Sequence, residues 1–449
     1  MKRHRVVPII LLILGLPLAA LIGFFLVATI ATHDEAAPDD AALLLPKVTV
    51  ADADNAFVEM QTIESSDSFP SETDTKLSES VGLPWDEAYA TSMITKHAAD
   101  IALFKQAAAK PKFQDPTFAD PDTFNWDTAE LPNYYSYRQV AQVTALEAEQ
   151  RARGGDVRGA LDEAIGIVHF GQTMENSQGA LIGYLVASSI KQTGLTAIRQ
   201  IALASSLTAA QAKETAQALE AYRDSRSGQA ITMKMEYAFN KSFLQENYRL
   251  GPLLGFLTLT SDLAGNTSQQ NSKLGDFLDY SGLAKFYYHP NQTLRYRTEL
   301  ADYAVRNAEA DCTWVDVDPP RLFTMQKTSL EWFFTPNAIG KYLTSIGEIS
   351  IGGLSTKRCN ESVAISATQA TLGIRAYAVE TGNPPANLSD IVPKYLNTIP
   401  PDPYDIPPLS YSAPKEFVYS VGPSRQDLGG SLVSSDWQNQ DNPSFAISQ

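Results

Sequence analysis

The amino-acid sequence predicts a mainly α protein in three parts: an N-terminal transmembrane helix, an α-helical body of helical hairpins, and a small C-terminal α+β module. Three observations carry that reading. Residues Val6 to Ala31 include no charged side chain. From Pro84 onward apolar residues recur at helical spacing, the pattern of helices with one buried face. Beyond Cys359 one amphipathic stretch gives way to a proline-rich segment and two short runs that read as a β-hairpin. With 449 residues, 44% apolar and 19% charged, the chain can bury a real core. The expected divisions are 1–33 (cytoplasmic tail and anchor), 34–83 (acidic linker with a short helix), 84–358 (helical domain), 359–430 (α+β module) and 431–449 (flexible tail).

At ~1.5 Å per residue the uncharged run exceeds the ~30 Å hydrocarbon core, so residues 6–31 are expected to engage the membrane. Lys2, Arg3 and Arg5 precede it, and Asp34, Glu35, Asp39 and Asp40 follow it. The positive-inside rule then puts the N-terminus in the cytoplasm and the body in the periplasm or outside the cell, a single-pass topology. Thr29-Ile30-Ala31 offers a signal-peptide cleavage site as the alternative, but an h-region is usually about 7–15 residues long, and the length favours an uncleaved anchor. Either reading exports the body. The net charge of −16 (35 Lys+Arg against 51 Asp+Glu), with no basic stripe, argues against nucleic acid as a partner. Cys312 and Cys359 are the two cysteines. In an exported body a disulfide between them is the simplest account, with two buried thiols as the alternative.

Along the linker, Ala56, Phe57, Met60 and Ile63 have the spacing of a short helix capped by Asp54 or Asn55, and Ser65 to Ser80 reads as a solvated connector. Trp85 to Lys110 reads as one long helix stopped by Pro111. Phe113 to Pro132 is an aromatic loop. Asn133 to Arg153 and Val157 to Glu175 form an αα-hairpin across Gly154-Gly155, with Asp156 capping the second helix. Leu181 to Ile198 is apolar nearly all round despite Lys191 and is expected to be a central buried helix. Thr208 caps Ala209 to Arg226. Further helices are expected over Gln229–Arg249, Leu274–Tyr288, Gln292–Ala310 and Asn337–Ser350.

Ser362 to Thr381 is the amphipathic helix of the C-terminal part, closed by Gly382 and Pro384. Asn387 caps a turn through Leu388 and Ile391. Five prolines between Pro400 and Pro408 force an extended loop, and Leu409–Ser412 with Glu416–Val421 make the hairpin. Ala370 to Gly382, Pro385-Ala386-Asn387-Leu388, Ile399-Pro400-Pro401-Asp402-Pro403-Tyr404, Tyr419-Ser420-Val421-Gly422 and Gly429-Gly430 together resemble the globular domain of type II secretion major pseudopilins. That resemblance covers about the last fifth of the chain and implies a helix, a proline-rich loop and a small antiparallel sheet. It also implies a closing loop able to take calcium, for which Asp427 is the candidate ligand, although Ser424 replaces the usual aspartate. The whole chain resembles uncharacterised single-pass bacterial envelope proteins through Asp54-Asn55-Ala56, the Gly155-Asp156 junction with Ala160-Leu161, and Asn337 to Tyr342. That group supplies an architecture and no chemistry.

No metal-ligand spacing, nucleophile elbow, phosphate loop or dinucleotide fingerprint occurs in the sequence. His97, His169 and His289 read as structural histidines or caps. Asp311, Asp316 and Asp318 read as an acidic loop beside Cys312, and Tyr134, Tyr135 and Tyr137 as packing aromatics. No catalytic residue is assigned. The expected function is a membrane-anchored, extracytoplasmic, non-enzymatic scaffold or interaction protein with an envelope protein as partner. The alternatives are an exported carboxylate-dependent hydrolase, and a calcium-stabilised accessory of a secretion or pilus-like system.

Overall fold

A computed structural model describes residues 15–65, 77, 85–124, 128–249, 284–315, 335–351, 353–432 and 441–447, less 17, 25 and 28–32. Helix α1 (Phe57–Ser65) follows Asn55, whose buried side chain ties it to the aromatic loop. The long helix expected over 85–110 is two, α2 (Glu87–Lys96) and α3 (Ala98–Ala108). They part at His97, where the backbone leaves helical geometry and the buried imidazole meets Asp100 at 3.2 Å. The break lets α3 pack on α1 while α2 packs on the next helix, α4 (Tyr134–Arg153). Helix α5 (Val157–Glu175) returns antiparallel after Gly155 takes φ +96, a conformation suited to glycine. Asp156 caps it by accepting from the Gly159 amide at 3.0 Å.

Helix α6 (Leu181–Ala204) is central, packed against both α4 and α5. Its approach to α5 depends on two glycines. A Cβ on Gly171 would lie 2.8 Å from the Lys191 Cβ, and one on Gly194 would lie 2.7 Å from Val168 Cγ2. Helix α7 (Ala209–Leu219) opens with a Thr208/Gln211 capping box and gives way to a 3-10 turn, Glu220–Tyr222. Helices α8 (Arg226–Arg249) and α9 (Pro290–Glu309) pair in a second layer whose apolar cluster includes Tyr184, Met233 and Ala304, and α10 (Ala338–Ile351) lies against α9. Of the helix expected over 274–288, residues 274–283 lie outside the described residues; Ala284–Tyr287 form one turn.

Helix α11 (Leu354–Thr381) begins eight residues before the expected Ser362 and runs through Cys359 into the main core, against α6 and α7. It ends at Gly382, φ +79. Strands β1 (Ser410–Ser412) and β2 (Phe417–Tyr419) form the expected hairpin, in register Ser410 to Tyr419. The tail, read from sequence as loose, supplies β3 (Ser444–Ala446), antiparallel to β2, and Phe445 and Ile447 join the main core. The connector at 66–76 and 78–84 lies outside the described residues.

The expected anchor requires correction. Much of 6–31, including 6–14 and 28–31, lies outside the described residues. The described residues between 15 and 27 are helical, and Phe24 packs edge-on against Phe286 of the body at 6.2 Å. Among the described residues no helix is long and apolar enough to cross a membrane. The transmembrane element of the fold class is therefore not supported. Neither is the localisation drawn from it, a single-pass protein with a cytoplasmic N-terminus and a periplasmic or extracellular body.

Cys312 and Cys359 are disulfide-bonded, with Cα atoms 5.6 Å apart, tying the segment after α9 to α11. Arg358 braces the junction, donating to the Ala310 carbonyl at 2.7 Å and to Gln229 Oε1 at 3.0 Å. Replacing both cysteines with alanine is expected to cost about 2–5 kcal/mol of stability. Denaturant unfolding with and without reductant checks this: reductant lowers the midpoint of the native chain and leaves that of the double variant unmoved.

Candidate functional site

The residues that stood out in the sequence are for the most part structural hubs. Asn55 accepts the Gln114 amide at 2.8 Å and donates to the Gln114 carbonyl at 2.9 Å, a backbone-like clamp that explains Asp54-Asn55-Ala56. Asn337, at φ +53, accepts the His289 amide at 2.9 Å and donates to Gln292 at 2.9 Å, fastening α10 to α9. Asp402 is buried yet accepts from Ser420 Oγ, the Val421 amide and the Tyr404 amide at 2.7, 2.9 and 3.0 Å. Burial raises its carboxyl pKa against the pull of those bonds. Tyr404 in turn donates to Asn360 on α11 at 2.8 Å.

The histidines lie apart. Burial lowers the pKa of His97, against the Asp100 bond. His169 Nε2 meets the Lys110 carbonyl at 3.2 Å, and His289 is the residue before α9. Asp311 is exposed and paired with Arg226 at 2.6 Å, while Asp316 and Asp318 lie outside the described residues. Tyr137 is wholly buried and packs edge-on to Tyr134, whereas Tyr135 is exposed. Asp427, the candidate calcium ligand, is exposed; its carboxylate accepts from the Gly429 amide at 2.8 Å, with Tyr419 Oη at 3.4 Å. Ser424 Oγ offers no carboxylate. Among the described residues no three His, Cys, Asp or Glu side chains are grouped to hold a metal.

Two ionic clusters went unread in the sequence. Lys191 of α6 is wholly buried, and its ammonium donates to Gln172 Oε1 at 2.6 Å, Ser225 Oγ at 2.9 Å, Glu175 Oε2 at 3.1 Å, and Glu361 Oε1. Ser188 donates to the other Glu361 oxygen at 2.7 Å. Burial and the neighbouring Glu361 charge push the Glu175 carboxyl up to about 8. Burial works the same way on Glu361 and is the largest single influence, but the Lys191 charge together with hydrogen bonds from Glu175, Lys191 and Ser188 holds that carboxyl below the usual range. Glu175 is thus biased towards its neutral form beside the Lys191–Glu361 ion pair, and pairing of this kind is how a charge survives in a core. The second cluster faces a groove of about 390 Å³ over α3 and α5, where Lys105 stands between Glu147 at 2.7 Å and Glu163 at 2.9 Å. Burial pushes Glu163 up to about 7, partly offset by Lys105. These are facing carboxylates, but a lysine fills the space in which a substrate would react.

The site best formed to hold a ligand is a second groove, about 400 Å³, between α7 with its 3-10 turn and the segment Leu396–Pro401, which bends at Asn397 and Thr398. Arg223 pins its floor, donating to Glu220 at 2.8 Å, to Gln369 of α11 at 2.7 Å, and to Ser366. Those bonds hold the Glu220 carboxyl below the usual range. Lys213 closes one end, donating to the Pro393 carbonyl at 2.9 Å. The far wall is backbone. No N–H or C=O of Asn397, Thr398 or Ile399 bonds to another described residue, and Pro400 and Pro401 have no N–H to offer. Neither a protein-family model, nor a curated protein, nor a solved structure matches this chain.

Two outcomes follow from the buried cluster. Lys191→Met leaves two carboxyls without their counter-charge and is expected to lose about 3–5 kcal/mol in denaturant unfolding. The pH dependence has a definite sign. Glu175 binds its proton more tightly folded than unfolded, so its contribution is full below about 4.5 and is lost as pH rises towards about 8. Glu163 adds the same sign up to about 7. Melting temperature is therefore expected to fall between pH 5 and 8, and to fall less steeply in Glu175→Gln.

Proposed function

We propose that this protein is a non-enzymatic interaction protein that receives an extended peptide in the groove between α7 and Leu396–Pro401. The observation that carries the reading is the open backbone edge of Asn397–Ile399 along one wall of a preformed groove. Amides and carbonyls left open at a bend in the chain offer main-chain hydrogen bonds to a partner peptide, while side chains opposite select it. Here those side chains are Lys213, Gln217, Glu220 and Arg223, a mixed polar set suited to a peptide of mixed character. The C-terminal module, pseudopilin-like in its sequence, supplies the backbone wall, and the helical body supplies the side-chain wall.

A displayed library of extended peptides, with affinities of selected members measured by fluorescence anisotropy, tests this reading. Thr398→Pro removes an amide from the exposed edge, and Gln217→Trp fills the groove from an exposed position. Both are expected to weaken binding tenfold or more while the circular-dichroism melt stays unchanged. Binders indifferent to both changes would refute the groove as the site. Hydrolysis of envelope polymers that is abolished by Glu163→Gln would favour the carboxylate-dependent enzyme instead.

A further inference from the structure

The loop from Val421 to Leu428 is closed from within. Asn442, only 5% exposed, sits inside it. Its Nδ2 donates to the carbonyls of Val421 at 2.7 Å, Gln426 at 2.9 Å and Asp441 at 3.0 Å. Its Oδ1 accepts from the Leu428 amide at 2.7 Å, which fixes the amide's orientation, because the reverse would set an oxygen against three oxygens. Gly422, at φ +64, allows the close approach: a Cβ there would lie 1.8 Å from the Asp441 carbonyl.

Three carbonyl oxygens converging on one point are the kind of ligand a hard cation takes. Here a side-chain amide takes them instead. We propose that Asn442 is a built-in replacement for a cation, so that the C-terminal module closes its loop with a neutral hydrogen-bond donor and is independent of calcium. The chemistry of the neighbouring side chains agrees. Asp427 gives its carboxylate to the Gly429 amide and Tyr419 Oη, and Ser424 brings no charge, so neither residue adds a carboxylate oxygen to the three carbonyls. An amide needs none.

The argument also predicts how the loop could be converted. Asn442→Asp would place a carboxylate among three carbonyls, a repulsive arrangement that a divalent cation relieves. Asn442→Ala removes the donor and offers the cation nothing in return. The experiment is thermal melting of the full chain and both variants in excess EDTA and in millimolar calcium chloride. The native chain is expected to melt at the same temperature in both. Asn442→Asp is expected to melt lower in EDTA, by about 2 °C or more, and to recover at least half of that loss with calcium. Asn442→Ala is expected to melt lower in both. A native chain that melts lower in EDTA and is restored by calcium would overturn the proposal whether or not either variant folds. So would an Asn442→Ala variant with undiminished stability.

Discussion

The ammonium of Lys191 is the point on which the packing turns. Carried on α6, it is buried against α5, α11 and the turn before α8, and each of those three brings it acceptors, Glu175 and Gln172, Glu361, and Ser225, while Ser188 of α6 donates to Glu361. Apolar burial alone would let these helices slide or rotate about one another at little cost. A charge that must be surrounded by named oxygens permits one register. Such a cluster adds little net stability over an apolar equivalent, but leaving it incomplete is costly, and it therefore specifies arrangement more than strength. Gly171 and Gly194 serve the same contact by letting α5 and α6 come close enough for it.

Most helices were legible because amphipathic period and capping residues are local properties. Asp156, Thr208, Gly382 and Asn387 all act as helix boundaries where the sequence put them. What the sequence concealed was long-range. Lys191 looked like an interruption in an apolar helix because its partners are distant in sequence, Glu361 by 170 residues. The start of α11 is not visible in the local pattern because its first turns carry polar residues, Arg358, Asn360 and Glu361, whose burial makes sense only with partners from other helices. His97 divides a stretch that propensity alone would leave continuous. The N-terminal run misled in the opposite way: an uncharged sequence satisfies the length rule, yet no described helix meets the requirement.

The candidate site was hidden for a related reason. No residue type marks the groove beside α7; it is formed by a bent, unpaired stretch of backbone and a helix face whose polar residues look like ordinary surface. The motifs that did catch the eye, Asp54-Asn55-Ala56, Asn337 and Asp402 with Tyr404, are side chains that imitate the backbone. Each satisfies amides or carbonyls at places where regular secondary structure ends, and each holds a junction between segments far apart in the chain. Recognisable sequence here reports architecture.

The path of α11 bears on how the chain reaches its structure. A helical protein usually acquires its contacts from near neighbours and folds quickly. Here a late helix runs into a core begun by α4, α5 and α6, and the oxygens that neutralise Lys191 arrive from both sides of that sequence gap. Until α11 docks, the lysine must keep its water, and the pocket between α5 and α6 stays wet. The closure of a long loop, with its entropy cost, thus stands between the hairpins and the finished core. The molecule is helical in its secondary structure, yet part of its core is completed by contacts between residues far apart in sequence.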